Sequence, residues 1–229
     1  MRLDSLQQLN AARSQRVSAG LLTDLSTGEE RVLFEGDALG DDVVNAFRSG
    51  RSMTVETEQG SSFLNVYLPA PRIVIIGAVH IGQFLTQMAM FAGFDVYVVD
   101  PRTAFATPER FPGAKLSPDW PADHFITNPL DRYTALVALT HDPKIDDSAL
   151  VEALRAGCFY VGALGSRKTH ASRTKRLMQD GFDSQTISAI HAPIGLDIGA
   201  TNPAEIAIAI LAEVVQSLHS PSSPLGPKR

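Results

Sequence analysis

Four short segments of this sequence hold most of the residues that can do chemistry. The first is Gly162–His170, GALGSRKTH. Gly165 frees the backbone, Ser166 is placed to cap the next helix, and Arg167 and Lys168 then fall in that helix's first turn. Cations at a helix N-terminus oppose the macrodipole unless an anion binds there, so the segment reads as an anion site. A solvated basic turn is the alternative. The Gly-Lys-Ser/Thr order of a Walker A loop is absent.

The second segment is IVIIGAVHIG, Ile73–Gly82, a buried strand running into a glycine turn and a helix. Gly77 makes the turn and Gly82 lets the helix approach the sheet. Val79 stands where G-x-G-x-x-G has its middle glycine, with His80 behind it. The free N–H groups of the helix can still meet an anion, whereas an ordinary dinucleotide pose is disfavoured. Asp100 follows 18 residues after Gly82, where an acidic residue can hold a ribose hydroxyl, and Arg102 can meet a phosphate. Asp100 can equally cap a turn before Pro101.

The third segment is His141-Asp142, after the apolar run LVALT. It suits a ligand contact or acid–base group, or a turn cap leading through Pro143. The fourth is the glycine-rich stretch His191–Ile206, with His191 and Asp197, which reads as a pocket wall or lid, or else as a plain crossover.

Other chemistries find little support. The six His show no H-E-x-x-H spacing, so no metal set is expected. There is no G-x-S-x-G and no Tyr-x-x-x-Lys pair. The single Cys158 excludes an internal disulfide, and its place before an apolar strand predicts burial.

The elements that must position these residues follow from the hydrophobic pattern. Strands are predicted at Ile73–Ile76, Phe94–Val99, Tyr133–Thr140 and Phe159–Ala163, and helices at His80–Phe91, Asp146–Arg155, Arg167–Gln179 and Pro203–Leu218. Asn202, Pro203 and Glu205 form the start signal of the last helix, with a capping box. Apolar strands without alternation imply burial on both faces, hence an α/β fold: a Rossmann-like doubly wound parallel sheet over residues 71–219. In such sheets ligands bind beyond the carboxyl ends of the strands, where all four segments fall.

Residues 1–70 predict a small α+β domain of antiparallel hairpins. A short helix around Leu3, Leu6 and Leu9 leads to a hairpin of Val17–Thr23 and Arg31–Phe34 around Ser26-Thr27-Gly28. A helix over Asp41–Arg48, closed by Gly50, leads to a second hairpin of Met53–Thr57 and Phe63–Leu68 around Glu58-Gln59-Gly60. Pro69 and Pro71 mark the boundary, and the tail 220–229 is expected to be disordered.

The 229 residues are 44% hydrophobic and 20% charged, with net charge −5, which disfavours general nucleic-acid or anionic-membrane binding. The N-terminus lacks a secretory h-region, and no run reaches the roughly 18 apolar residues of a membrane helix. A cytoplasmic protein is expected.

The segments GAVHIGQFLTQMAMFAGFDVYVVDPRTAFATPERFPGA, ALTHDPKIDDSAL, FYVGALGSRKTH and IHAPIGLDIGATNPAEIAIAILAEVV, in that order, strongly resemble the XdhC/CoxI family. These are accessory proteins of molybdenum hydroxylases such as xanthine dehydrogenase. The resemblance covers about residues 72–218. It implies a Rossmann-type C-terminal domain and a chaperone of the molybdenum cofactor that holds it during sulfuration and passes it to a xanthine dehydrogenase-type apo-enzyme. A cysteine desulfurase is then a candidate partner. The cofactor's pterin phosphate fits the anion reading of Ser166, Arg167, Lys168 and the turn at Gly77. Two departures stand out. Family members usually carry glycine where Val79 stands, and residues 1–71 lack the family's Gly-Cys motif and any Cys. The alternatives are an NAD(P)-dependent oxidoreductase and a nucleotide-binding regulatory protein. A homodimer is also expected, from the largely apolar last helix.

Overall fold

A computed structural model describes residues 1–37, 40–57 and 60–220. They form two compact units that part between Ala70 and Pro71.

In the first unit, helix α1 (Leu3–Ser14) is followed by β1 (Ala19–Asp24), β2 (Glu30–Phe34), α2 (Asp41–Ser49), β3 (Met53–Thr57) and β4 (Gly60–Tyr67). The strands form an antiparallel sheet in the order β2-β1-β4-β3. The first hairpin turns at Asp24, whose Oδ1 accepts from the N–H groups of Ser26 and Thr27 at 2.8 and 2.7 Å. Gly50 closes α2 at φ 66°. α1 is the expected helix; its buried residues are Ser5, Leu9 and Ala12, while Leu3 and Leu6 stay exposed. β4 begins at Gly60, three residues before the expected Phe63, and Glu58-Gln59 of that turn lie outside the described residues.

The second unit contains β5 (Arg72–Ile76), α3 (His80–Phe91), β6 (Asp95–Val99), β7 (Lys115–Ser117), α4 (Pro121–Thr127), β8 (Thr134–Ala138), α5 (Pro143–Arg155), β9 (Tyr160–Ala163), α6 (Arg167–Gln179), α7 (Ser184–Ile187), β10 (Ile190–His191) and α8 (Pro203–Leu218). Its strands run parallel in the order β10-β9-β8-β5-β6-β7. In chain order within the unit this is 6-5-4-1-2-3, the Rossmann arrangement. β5, β8 and β9 are buried at every residue, as a sheet covered on both faces requires. The core includes Val74, Ile76, Leu136, Ala138 and Val161 from the strands, with Ile145, Leu150 and Leu177 from α5 and α6.

The caps explain where the helices begin. Ser166 caps α6 by accepting from the Thr169 N–H at 3.2 Å, as predicted. Asn202 accepts from the Glu205 N–H at 3.0 Å, and Pro203 opens α8. The return arm of the expected capping box lands one residue earlier, from the Thr201 N–H to Glu205 at 2.7 Å. α5 starts at Pro143, three residues before the expected Asp146, because Asp142 caps it through the Lys144 N–H at 2.9 Å. The tail beyond Ser220 lies outside the described residues.

Candidate functional site

The strand order reverses between β5 and β8, whose carboxyl ends form the switch point where Rossmann sheets bind ligands. Gly77 ends β5 at φ 108°, and a Cβ there would lie 2.7 Å from Thr140 Cγ2 and 3.2 Å from the Thr140 backbone nitrogen. Position 77 therefore requires glycine for both conformation and space. A Cβ on Gly82 already stands 3.2 Å from the Gly77 carbonyl oxygen, so this glycine sets how closely α3 approaches the turn. Val79 sits at φ −88°, ψ 174°, extended backbone that a branched residue adopts readily. The missing middle glycine thus strains nothing. His80 opens α3, exposed, with its ring stacked on Phe84 at 5.5 Å.

Asp100 follows β6 and is fully buried. Its Oδ2 accepts from the Ala78 N–H at 2.7 Å, and its Oδ1 from the Arg102 N–H at 2.9 Å. The Arg102 guanidinium adds two more bonds, Nε to Oδ1 at 2.9 Å and Nη2 to Oδ2 at 2.8 Å. Burial works against the charge of Asp100, yet the bonds from Arg102 and Ala78 hold its carboxyl below the usual range. Arg102 also lies over Phe105, 4.9 Å from the ring centroid. The two residues read as ribose and phosphate contacts in the sequence are therefore bonded to each other and to the glycine turn.

Asp146, which the sequence placed only as a helix residue, ties β8 to α5. Its carboxyl accepts from the Thr140 hydroxyl at 2.6 Å and from the His141 N–H at 3.1 Å. Burial raises its pKa despite these donors. His141 adopts φ 63°, rare for a non-glycine residue, and its ring is exposed. Asp142 and Asp146 both act electrostatically on Arg102, so the ends of β6 and β8 share one field with the glycine turn.

Beyond β9, Gly165 turns at φ 135° into Ser166. Arg167 and Lys168 are exposed in the first turn of α6. Further along α6, Arg173 is only 2% exposed; its Nη2 donates to the Leu164 carbonyl at 3.2 Å, and its Nε lies 3.9 Å from Asp147 Oδ1. Desolvation lowers its pKa against the pull of Asp146 and Asp147. Asp146 and Arg173 thus influence each other electrostatically.

His191 belongs to a separate group with Glu213 and Tyr160. Asp197 is exposed in the following loop and makes no ion pair among the described residues. Sequence reasoning missed Asp146, Arg173, Tyr160 and Glu213, because each reads as an ordinary helix or strand position. Only Tyr160 carried a signal, since a tyrosine in a buried strand needs a partner for its hydroxyl.

A concavity of about 960 Å³ in the N-terminal unit is lined by Asp24, Glu29, Glu30, Asp41, Asp42 and Glu56, among others. Its predominantly acidic wall disfavours an anionic ligand there. Among the described residues no group of three or more His, Cys, Asp or Glu can hold a metal ion, and no helix is long and apolar enough to cross a membrane. Cys158 packs against the core, and burial pushes its thiol up to about 12.

Residues 73–214 match the family model described as the XdhC Rossmann domain. Over 156 residues the chain is 33% identical to a probable xanthine dehydrogenase subunit of Bacillus subtilis (strain 168), covering 68% of this chain and 45% of that protein. Over 148 residues it is 28% identical to the molybdenum cofactor insertion chaperone PaoD of Escherichia coli (strain K12), covering 65% and 40%. A crystal structure of a xanthine dehydrogenase from Bacillus halodurans superposes with a TM-score of 0.65 at 26% identity, covering 96% of this chain and 66% of that one. The chain spans less than half the length of the curated relatives it matches. The Rossmann strand order, the glycine turn and the family match agree, and the chain belongs to the XdhC family.

Proposed function

We propose that this protein binds the molybdenum cofactor and delivers it to a xanthine dehydrogenase-type apo-enzyme. The observation that carries this reading is the exposed pair Arg167 and Lys168 at the N-terminus of α6, on the carboxyl edge of an XdhC Rossmann domain. Two cations there oppose the helix dipole, and a phosphate removes the conflict. The cofactor's pterin carries such a phosphate. A relative named for molybdenum cofactor insertion supports the cargo, and one named for xanthine dehydrogenase supports the class of client.

In this reading the start of α3, with Gly77, His80 and Gly82, offers a second helix end at the switch point, and His141 and Asp142 follow β8, between it and the Gly165-Ser166 turn after β9. Asp100 holds the turn at Ala78, and Arg102 holds Asp100. A nicotinamide-dependent oxidoreductase is the weaker reading, because the acidic residue suited to a ribose is engaged by Ala78 and Arg102. Cys158 is unsuited to carrying sulfur, so sulfuration calls for a separate donor such as a cysteine desulfurase.

The test is activation of a molybdenum-free hydroxylase by isolated cofactor, with and without the chain. Faster or more complete activation is expected, with the gain lost in an Arg167→Ala, Lys168→Ala double variant. Equal activation with and without the wild-type chain would refute delivery.

A further inference from the structure

Glu213 on α8 gathers groups from three separate segments. Its Oε2 accepts from the Tyr160 hydroxyl at 2.6 Å and from the Gly195 N–H at 2.8 Å. Its Oε1 lies 2.9 Å from His191 Nδ1. The His191 ring stacks on Tyr160 with centroids 4.6 Å apart and planes 27° apart. Gly162 leaves the room for this, because a Cβ there would stand 2.6 Å from the Tyr160 hydroxyl oxygen. One imidazole is thus fixed by a strand, a loop and a helix together.

The chemistry of the cluster fixes the tautomer. Burial opposes the charge of Glu213, but bonds from His191, Tyr160 and Gly195 hold its carboxyl below the usual range. An ionised carboxylate only accepts, so Nδ1 of His191 must carry the proton. When the ring is neutral, Nε2 is a lone-pair acceptor, on a side chain 37% exposed. The carboxylate behind it disfavours an anion at this position. His191 pairs with Gly162 at the carboxyl end of the sheet, three strands from β5, or about 14 Å at ~4.8 Å per strand.

The carboxyl edge is therefore divided by polarity. Arg167 and Lys168 suit a ligand's anionic group, and His191 suits a neutral hydrogen-bond donor. We propose that His191 recognises the amide N–H of a pterin ring through Nε2, with Glu213 and Tyr160 as its positioning residues. The proposal rests on the cofactor reading for the choice of ring. It adds which group is recognised and which residues set the sign of that contact.

The test uses the full chain and two probes, pterin and its N3-methyl derivative, titrated by pterin fluorescence, with two-bond ¹H–¹⁵N spectra of the labelled histidines. The wild type is expected to show the Nδ1–H tautomer for His191 and to bind pterin about ten- to a hundredfold more tightly than the methylated ring. Glu213→Gln presents an amide N–H to Nδ1, moves the proton to Nε2 and abolishes that preference. Should Glu213→Gln not fold, His191→Phe supplies the same comparison, with the preference lost. An Nε2–H tautomer in the wild type, equal affinity for the two rings, or no pterin binding would each overturn the proposal. Retention of the whole cofactor without pterin preference defeats this inference alone, whereas pterin preference without cofactor retention defeats the delivery reading alone.

Discussion

The Asp100 carboxylate bonds the Ala78 N–H at 2.7 Å and so ties the end of β6 to the glycine turn after β5. Arg102 closes the same carboxylate from the other side. An arrangement that in the sequence suggests ribose recognition is here an internal clamp. Replacing the charged acceptor with an amide, Asp100→Asn, leaves buried donors poorly matched. A loss of about 1.5–3 kcal/mol is expected in urea unfolding.

The same clamp has a pH signature. A carboxyl with a depressed folded pKa stabilises the fold above its unfolded value, 3.8, and that contribution is lost as pH falls through the folded value. Wild-type stability should therefore fall on acidification below about pH 4, while the Asp100→Asn variant lacks this part of the dependence. Parallel denaturation curves from pH 6 to pH 3 measure the difference.

Two substitutions in the glycine turn separate conformation from ligand choice. Gly77→Ala forces a Cβ against Thr140 at φ 108° and should cost about 1–2 kcal/mol or more. Val79→Gly, at φ −88°, should fold normally and restores the G-x-G-x-x-G pattern. It should nevertheless gain no NAD(H) affinity by calorimetry, because Asp100 stays engaged. Tight NAD(H) binding by this variant would show that Val79 alone had blocked the site.

Cys158 should resist alkylation. Burial raises its thiol to about 12, so at pH 8 very little is thiolate. Iodoacetamide labelling followed by mass spectrometry should be slow in the native protein and rapid in urea. Fast native labelling would contradict this and make Cys158 a candidate for carrying sulfur.

Much of the second unit was legible because burial on both faces writes itself as apolar runs, such as Ile73–Ile76. β7 and β10 were not, since strands of three and two residues leave no pattern to read. Caps at Ser166 and Asn202 were legible from local chemistry, whereas the helix cap at Asp142 was not, the helix being expected from Asp146. The role of Asp100 was ambiguous, because the same carboxylate at the same spacing serves a ribose or a backbone N–H. Glu213 and Arg173 were invisible, since their partners lie in other segments and only folding brings them together.

The central claim is tested most directly by cofactor retention. The purified chain is mixed anaerobically with isolated molybdenum cofactor, passed through gel filtration, and assayed for molybdenum and pterin. The account expects both to co-elute with the protein at about one per binding site. It also expects Arg167→Ala with Lys168→Ala to weaken binding by roughly 1.5–3 kcal/mol per lost charged hydrogen bond, without unfolding. Protein that emerges free of molybdenum and pterin, or a folded double variant that retains both as tightly as the wild type, would contradict it.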